Sequence, residues 1–369
     1  MTNEDTSPLI PTGPATAILP AGNCKSITVI GTEAIRATFD EQTLRQAVHS
    51  RRAPGVTDVV LNPDAHVGYG APIGCVMVSP SHIYPGPVGV DIKCSMSLLQ
   101  LNLPADAIRE RPTRRALINA ICDRTPTGPG MGQRNVPKSR KVDASLGRRV
   151  AIEGASAAVC ETLGIPADWA ARCEDAFHVG HDDTQDALTA RLDRLEATGA
   201  FPKFAEKISQ LGSYGGGNHF GKEVVDGHLA WVHRKGATRA FPAGHHALKG
   251  TPFADTGHPI LLPGNPRDGS VVMVADEGAV KSCYSVNHGA GRQLGRKEAI
   301  RQFDQKKIDD QFNEDDILTN CRQYPKDEAP AAYKDFDEVV RSVTGAGLAT
   351  EIARLRAKFV IKDASKADD

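Results

Sequence analysis

The chain has no excess of charge of either sign: 44 Lys and Arg stand against 45 Asp and Glu, a net charge of −1. A nucleic-acid binder working through bulk charge is therefore excluded, and any RNA contact must use a local basic surface. No apolar run reaches the ~18 residues that signal a membrane span. None of the eight cysteines belongs to a C-x-x-C pair. A chain of 369 residues can bury an ample core without disulfides, so reduced thiols and a cytoplasmic location are expected. Internal repeats, heptads and low-complexity tracts are missing too. Residues 1–25 lack a basic segment leading into an apolar core; they read as a disordered or extended lead rather than a signal peptide. One domain is expected over residues 26–369.

Glycine and proline, by contrast, are plentiful, at 35 and 24 residues, which suits long loops shaped around a site. Residues 26–30 (SITVI) read as a strand. Asp40 caps a helix, EQTLRQAVHS, with Leu44 and Val48 at i,i+4 spacing. Residues 59–61 form a strand buried on both faces, and residues 112–204 are mostly helical. Residues 260–275 read strand, turn, strand. A helix runs from Arg296, the segment KDEAPAAYKDFDEVVRSVTGAG reads as a helix started by proline, and LRAKFVIKD closes the chain as a strand.

The chemistry concentrates in a few stretches. His288 is followed by Gly289, Ala290, Gly291 and Arg292. Bare backbone and an arginine fork beside an imidazole suit an encounter with phosphate. HRKGATR is a dense basic cluster anchored between apolar LAWV and AF, and reads as a phosphate-facing loop through Arg234, Lys235 and Arg239. GGGNHF exposes backbone around Asn218 and His219. Asp91 and Cys94, three apart after Gly86 and Gly89, can chelate one cation or bridge two through sulfur. Asp64 and His66 project from a glycine-rich loop; a lone D-x-H is a weak metal signal, so a hydrogen-bonded pair that stiffens the loop is preferred. His178 and His181 read as a loop at a helix end, because Gly180 breaks the helix that would align them.

HGAGR, HRKGATRAF, GGGNHF, VGVDIKC and the D-x-H-x-G-x-G-x-P-I-G segment together resemble the RtcB family of GTP- and manganese-dependent RNA ligases, over roughly residues 27–363. The resemblance implies an α+β fold, a single domain with a β-rich centre flanked by helices. It implies that Asp91, Cys94 and His219 hold manganese, Cys94 bridging two ions, and that His288 becomes guanylylated. Asn218, His219, Pro263, Gly264, Asn265, Pro266, Ser270, His288, Gly289, Ala290, Gly291 and Lys362 match positions that contact the nucleotide. The substrates implied are GTP and RNA with a 3′-phosphate or 2′,3′-cyclic phosphate at one end and a 5′-hydroxyl at the other.

One part of the pattern is missing. The family carries a long segment between G-N-H-F and H-R-K-G, with two more metal histidines. Here 13 residues, 221–233, bridge the gap. One manganese would keep three protein ligands and the other only Cys94, unless His228 or His181 folds into the gap. The alternative to an active ligase is a remnant that binds nucleotide or RNA without catalysis; a metal phosphoesterase is a third possibility.

Overall fold

The computed structural model describes residues 8–88, 98, 100–124, 142–154, 156–170, 184–199, 219–225 and 227–362, with residues 219–225 described as backbone only. Its contacts divide the chain into two compact units where the sequence predicts one domain. The first comprises Met1–Arg111 and Gly216–Val360, the second Pro112–Gly215 and Ile361–Asp369. Helices and several sheets together make the fold α+β, as the resemblance implies.

The first unit is built on a seven-stranded sheet. Its strands are β1 (Ile10–Gly13), β2 (Thr16–Ala21), β3 (Cys24–Ile30), β4 (Asp58–His66), β5 (Ile73–Ser79), β6 (His219–Val225) and β7 (His228–Lys235), in the order β1-β2-β3-β4-β5-β7-β6. The expected lead over residues 1–25 needs correction: the chain is extended from residue 10 but belongs to the sheet. Ala17, Leu19 and Ala21 are buried and their neighbours half-buried, the period-two burial of a strand with one face on a core. β1, which contains Pro11, lies at the sheet edge, where proline is tolerated.

The pairing of β3 with β4 is parallel and the others are antiparallel. A parallel step needs a crossover, supplied by the helices Glu33–Arg36 and Glu41–Arg51. The second begins where expected, with the Asp40 carboxylate accepting from the Thr43 N–H at 2.7 Å. It buries Thr43, Ala47 and Val48, while Leu44 is only half-buried. From Val59 to Ala65 every residue of β4 is buried, so Asp64 lies in a core strand and not in the following loop.

Downstream, β8 (Ala237–Arg239) pairs with β11 (Ser285–Asn287), and β9 (Pro259–Pro263), β10 (Ser270–Ala275) and β13 (Ala349–Leu355) form a second sheet. Two short strands, β12 (Leu318–Thr319) and β14 (Phe359–Val360), pair in parallel. The helix expected to start at proline instead starts at Phe336 and runs to Gly345, capped by the Asp335 carboxylate on the Glu338 N–H at 2.9 Å. Pro330 opens only a short 3-10 turn before it.

The second unit is helical where described, as the sequence predicts: Ala144–Glu153, Ala157–Thr162, Ala167–Ala170 and Gln185–Ala197. Arg148 on the first of these bonds both Asp193 and Glu196 on the last. Among the described residues no helix is long and apolar enough to cross a membrane.

Candidate functional site

The site is assembled around the H-R-K-G run that ends β7. Strand β7 lies between β5 and β6, and from Val232 to Ala237 every residue is buried. Polar side chains placed there must find partners or lose the free energy of several unmade hydrogen bonds. Each does. His233 engages the Met77 carbonyl through Nδ1 at 3.2 Å and accepts from the Tyr84 N–H through Nε2 at 2.9 Å. Burial lowers its pKa. Lys235 Nζ donates to the carbonyls of Ala71, at 2.8 Å, and Tyr69, and burial lowers its pKa as well.

Arg234 is 0 % exposed. Its Nε donates to Ser285 Oγ at 2.8 Å, and Nη2 lies 3.4 Å from the carbonyls of Cys283 and Tyr284. Those two residues hold left-handed backbone, φ 53° and 51°, a conformation unfavourable for side chains of their size. The phosphate-facing reading of Arg234 and Lys235 is therefore corrected: both cations are consumed inside the fold, and of the three expected RNA contacts only Arg239, on β8, is exposed.

Gly236 completes the run at φ +75°; a Cβ there would stand 2.7 Å from Ile73 Cγ2, 3.0 Å from Gly74 N and 3.3 Å from His288 Cε1. Only glycine allows that approach. The Gly236 carbonyl then takes the imidazole of His288, with Nδ1 at 2.8 Å, and the His288 main-chain N–H at 3.2 Å. A carbonyl oxygen only accepts, so Nδ1 carries the proton and the lone pair of the neutral ring sits on Nε2. The side chain of His288 is 31 % exposed, and its Nδ1 lies 3.8 Å from Asp64 Oδ2.

Asp64 is enclosed. A Cβ at Gly74 would meet its Oδ1 at 2.5 Å, and one at Gly291 its carbonyl oxygen at 2.5 Å. His66 bonds the Asp64 carbonyl through Nδ1 at 2.7 Å, so the expected D-x-H pair exists through main chain and not through the carboxylate. Lys334 Nζ donates to the carbonyls of Pro63 and Ala65 at 3.0 and 2.7 Å and lies 4.4 Å from the centre of the Phe39 ring. Desolvation lowers the Lys334 pKa to about 8, against the raising influence of Asp64 and Asp40.

Lys334 gives a pH prediction. Between pH 8 and the 10.5 of an ordinary lysine, the unfolded chain holds this proton and the folded chain does not, so the group makes stability rise with pH. Below pH 8 both states hold it, and burial of the ammonium carries a constant penalty on the order of 3 kcal/mol. Urea midpoints of wild type and Lys334→Met, compared from pH 7 to 10.5, should diverge in favour of wild type by about that amount. A difference that stays flat across this range would show that the lysine titrates as if in water.

The turn between β9 and β10 meets the His288 loop, since a Cβ at Gly289 would lie 3.7 Å from the Pro263 carbonyl oxygen. Two segments expected to share the nucleotide are thus neighbours. Asn265, however, is a turn-former: its Oδ1 accepts from the N–H groups of Arg267 and Asp268, at 3.0 and 3.1 Å, and its Nδ2 donates to Asp268 Oδ2 at 2.6 Å. The Asn265 amide is thus taken up in shaping the turn. Pro263, Gly264, Pro266 and Ser270 are half-buried in this turn, and Ala290 is buried. The Arg292 fork is also engaged, on the carbonyls of Leu294 and Asp327, and its guanidinium lies 5.1 Å from the Tyr333 ring centre; it is not a spare phosphate donor. Lys362 follows β14, in the second unit.

Asp91, Cys94, Asn218, His178 and His181 lie outside the described residues. His219 opens β6 opposite Arg234, with only its backbone described. Among the described residues no group of three or more His, Cys, Asp or Glu side chains could hold a metal ion. The short connector is itself regular: β6 and β7 form an antiparallel hairpin, paired from His219↔Arg234 to Val225↔His228 without a register break. His228 is therefore six residues, about 20 Å, along the hairpin from His219, too far to join it at one ion.

The site thus joins a glycine-lined histidine with a fixed tautomer, a buried carboxylate and the turn at residues 263–270. A sequence model of the family described as "tRNA-splicing ligase RtcB" matches residues 46–229 and 221–363, and the chain belongs to the RtcB family. The two matches overlap at residues 221–229, within the hairpin.

Similar proteins carry the same description. That of Pyrococcus abyssi is 43 % identical over 134 residues, 36 % of this chain but only 14 % of the relative. Those of Thermococcus kodakarensis and Nanoarchaeum equitans are 25 % and 27 % identical, covering 87 % and 88 % of this chain and 91 % and 92 % of the relatives. The Thermococcus alignment spans 460 positions, more than the 369 residues of this chain, so that relative carries length absent here.

Proposed function

We propose that this protein is a cytoplasmic RNA ligase that uses GTP and manganese to join a 3′-phosphate or 2′,3′-cyclic phosphate end to a 5′-hydroxyl end. The observation that carries the reading is the His288 ring, with Nδ1–H held on the Gly236 carbonyl and its lone pair on Nε2. Nε2 attacks the α-phosphate of GTP, an N–P bond forms, and pyrophosphate leaves. The guanylyl group passes to the RNA 3′-phosphate, which restores the imidazole, and the 5′-hydroxyl then displaces GMP as the strand closes. Asp64, behind Nδ1, favours the positive charge that develops on the ring during attack. Asp91, Cys94 and His219 would hold a divalent ion, whose part is to neutralise phosphate charge.

Incubation with GTP labelled at the α-phosphate and manganese should leave an acid-labile adduct that maps to His288. A label on His219 or a lysine would overturn the assignment. No label at all would favour the second reading, a remnant that binds nucleotide or RNA without ligating. The unbroken hairpin at residues 219–235 stands where the resemblance implies a long segment with two further metal histidines, and this supports that reading.

Arg239 carries what remains of the expected basic contact. Arg239→Ala should weaken binding of RNA with a 3′-phosphate about three- to tenfold and lower the slope of log affinity against log salt by roughly one. Affinity and slope both equal to wild type would remove Arg239 from the RNA surface.

A further inference from the structure

The loop between β4 and β5 carries an aromatic side chain that is almost wholly exposed. Tyr69 is 90 % exposed, in a chain whose other large apolar side chains mostly find cover. Its backbone, in contrast, is fixed from two directions. Gln46, on the helix Glu41–Arg51, donates to the Gly68 carbonyl at 2.8 Å and accepts from the Gly68 N–H at 3.0 Å. Lys235, itself only 3 % exposed, donates to the carbonyls on either side of Gly70, those of Tyr69 and Ala71. Holding a desolvated ammonium under a surface loop is costly. A loop that served only as a connection would need no such clamp.

The loop also leads to the candidate site. Residues 73 and 74, a few positions on, touch Gly236, whose carbonyl holds His288. The turn at residues 263–270 reaches the His288 loop by another way, through Gly289. The Tyr69 loop and the His288 ring are thus both held by successive residues at the end of β7, Lys235 and Gly236, whereas the turn that would take the guanine meets the His288 loop through Gly289.

We propose that Tyr69 is a stacking platform for a nucleobase of the RNA end that meets His288. This rests on the RNA-ligase reading above. An aromatic face accepts any base, so it would grip an end of arbitrary sequence. Clamping the loop beforehand removes most of the ordering cost when the base arrives.

The test uses the full chain and a short single-stranded RNA with a 3′-phosphate, either intact or abasic at its last nucleotide. Fluorescence anisotropy should show Tyr69→Ala weakening the intact RNA roughly ten- to a hundredfold, with Tyr69→Trp holding it. The abasic RNA should lose affinity for wild type by a similar factor and lose almost nothing further with Tyr69→Ala. The added indole emission of Tyr69→Trp, taken as the difference from wild type, should be quenched by RNA and not by GTP. Equal affinity of wild type and Tyr69→Ala for intact RNA would overturn the proposal. So would quenching by GTP alone, which would place guanine on the ring. These measurements need no catalysis, so failure to form a GMP adduct would sink the ligase reading and leave the role of Tyr69 to be decided on its own.

Discussion

Replacing His288 with alanine should remove the GMP adduct and lower strand joining by at least about a thousandfold. The expectation follows from how the ring is held. The Gly236 carbonyl fixes which nitrogen bears the proton, and the unsubstituted Gly236 lets the ring approach β7 closely enough for that bond. His233 differs in having both ring nitrogens engaged with main-chain groups, of Met77 and Tyr84. Because His288 is 31 % exposed, its loss should cost little stability, and the thermal midpoint should stay within a few degrees of wild type. Adduct formation by folded His288→Ala at the wild-type level would transfer the nucleophile elsewhere.

Arg234→Ala should act in the opposite way, with a large loss of stability. The guanidinium has no solvent face, and removing it strips donors from Ser285 Oγ and from the carbonyls of Cys283 and Tyr284. It also leaves a cavity beneath a turn whose backbone is already unfavourable at two successive residues. Together these should cost about 3–5 kcal/mol, read as a lowered urea midpoint at similar slope. A midpoint within about 0.5 kcal/mol of wild type would show that the turn holds without the arginine.

That contrast shows where the sequence is legible and where it is not. Asp40 announces its helix because a cap is a local device, and the run V-V-L in β4 announces a strand buried on both faces. The turn at residues 263–270 is readable from its own prolines and glycines. Arg234 and Lys235 mislead because a cluster of cations usually faces water, and nothing local reveals carbonyls waiting for donors. The turn that needs Arg234 is equally silent, since its left-handed residues are Cys283 and Tyr284 and not the glycine that would flag such backbone. Four prolines between residues 8 and 20 disguise β1 and β2 as a loose lead. Asp64 and Lys334 enter the site only through tertiary packing: 270 residues separate them in the chain, and a D-x-H after a strand gives no hint of the lysine.

The β6–β7 hairpin has a further consequence, for chain length. Its tip, with Gly227 at φ +78° and Val225 paired with His228, is a place where residues can be gained or lost without shifting the register of either strand. Loop-closure entropy grows only logarithmically, so each doubling of an insertion there costs about 0.6 kcal/mol. The sheet would scarcely register a long segment at this tip or its removal. Any such change would be felt by whatever the segment itself brings to the chemistry.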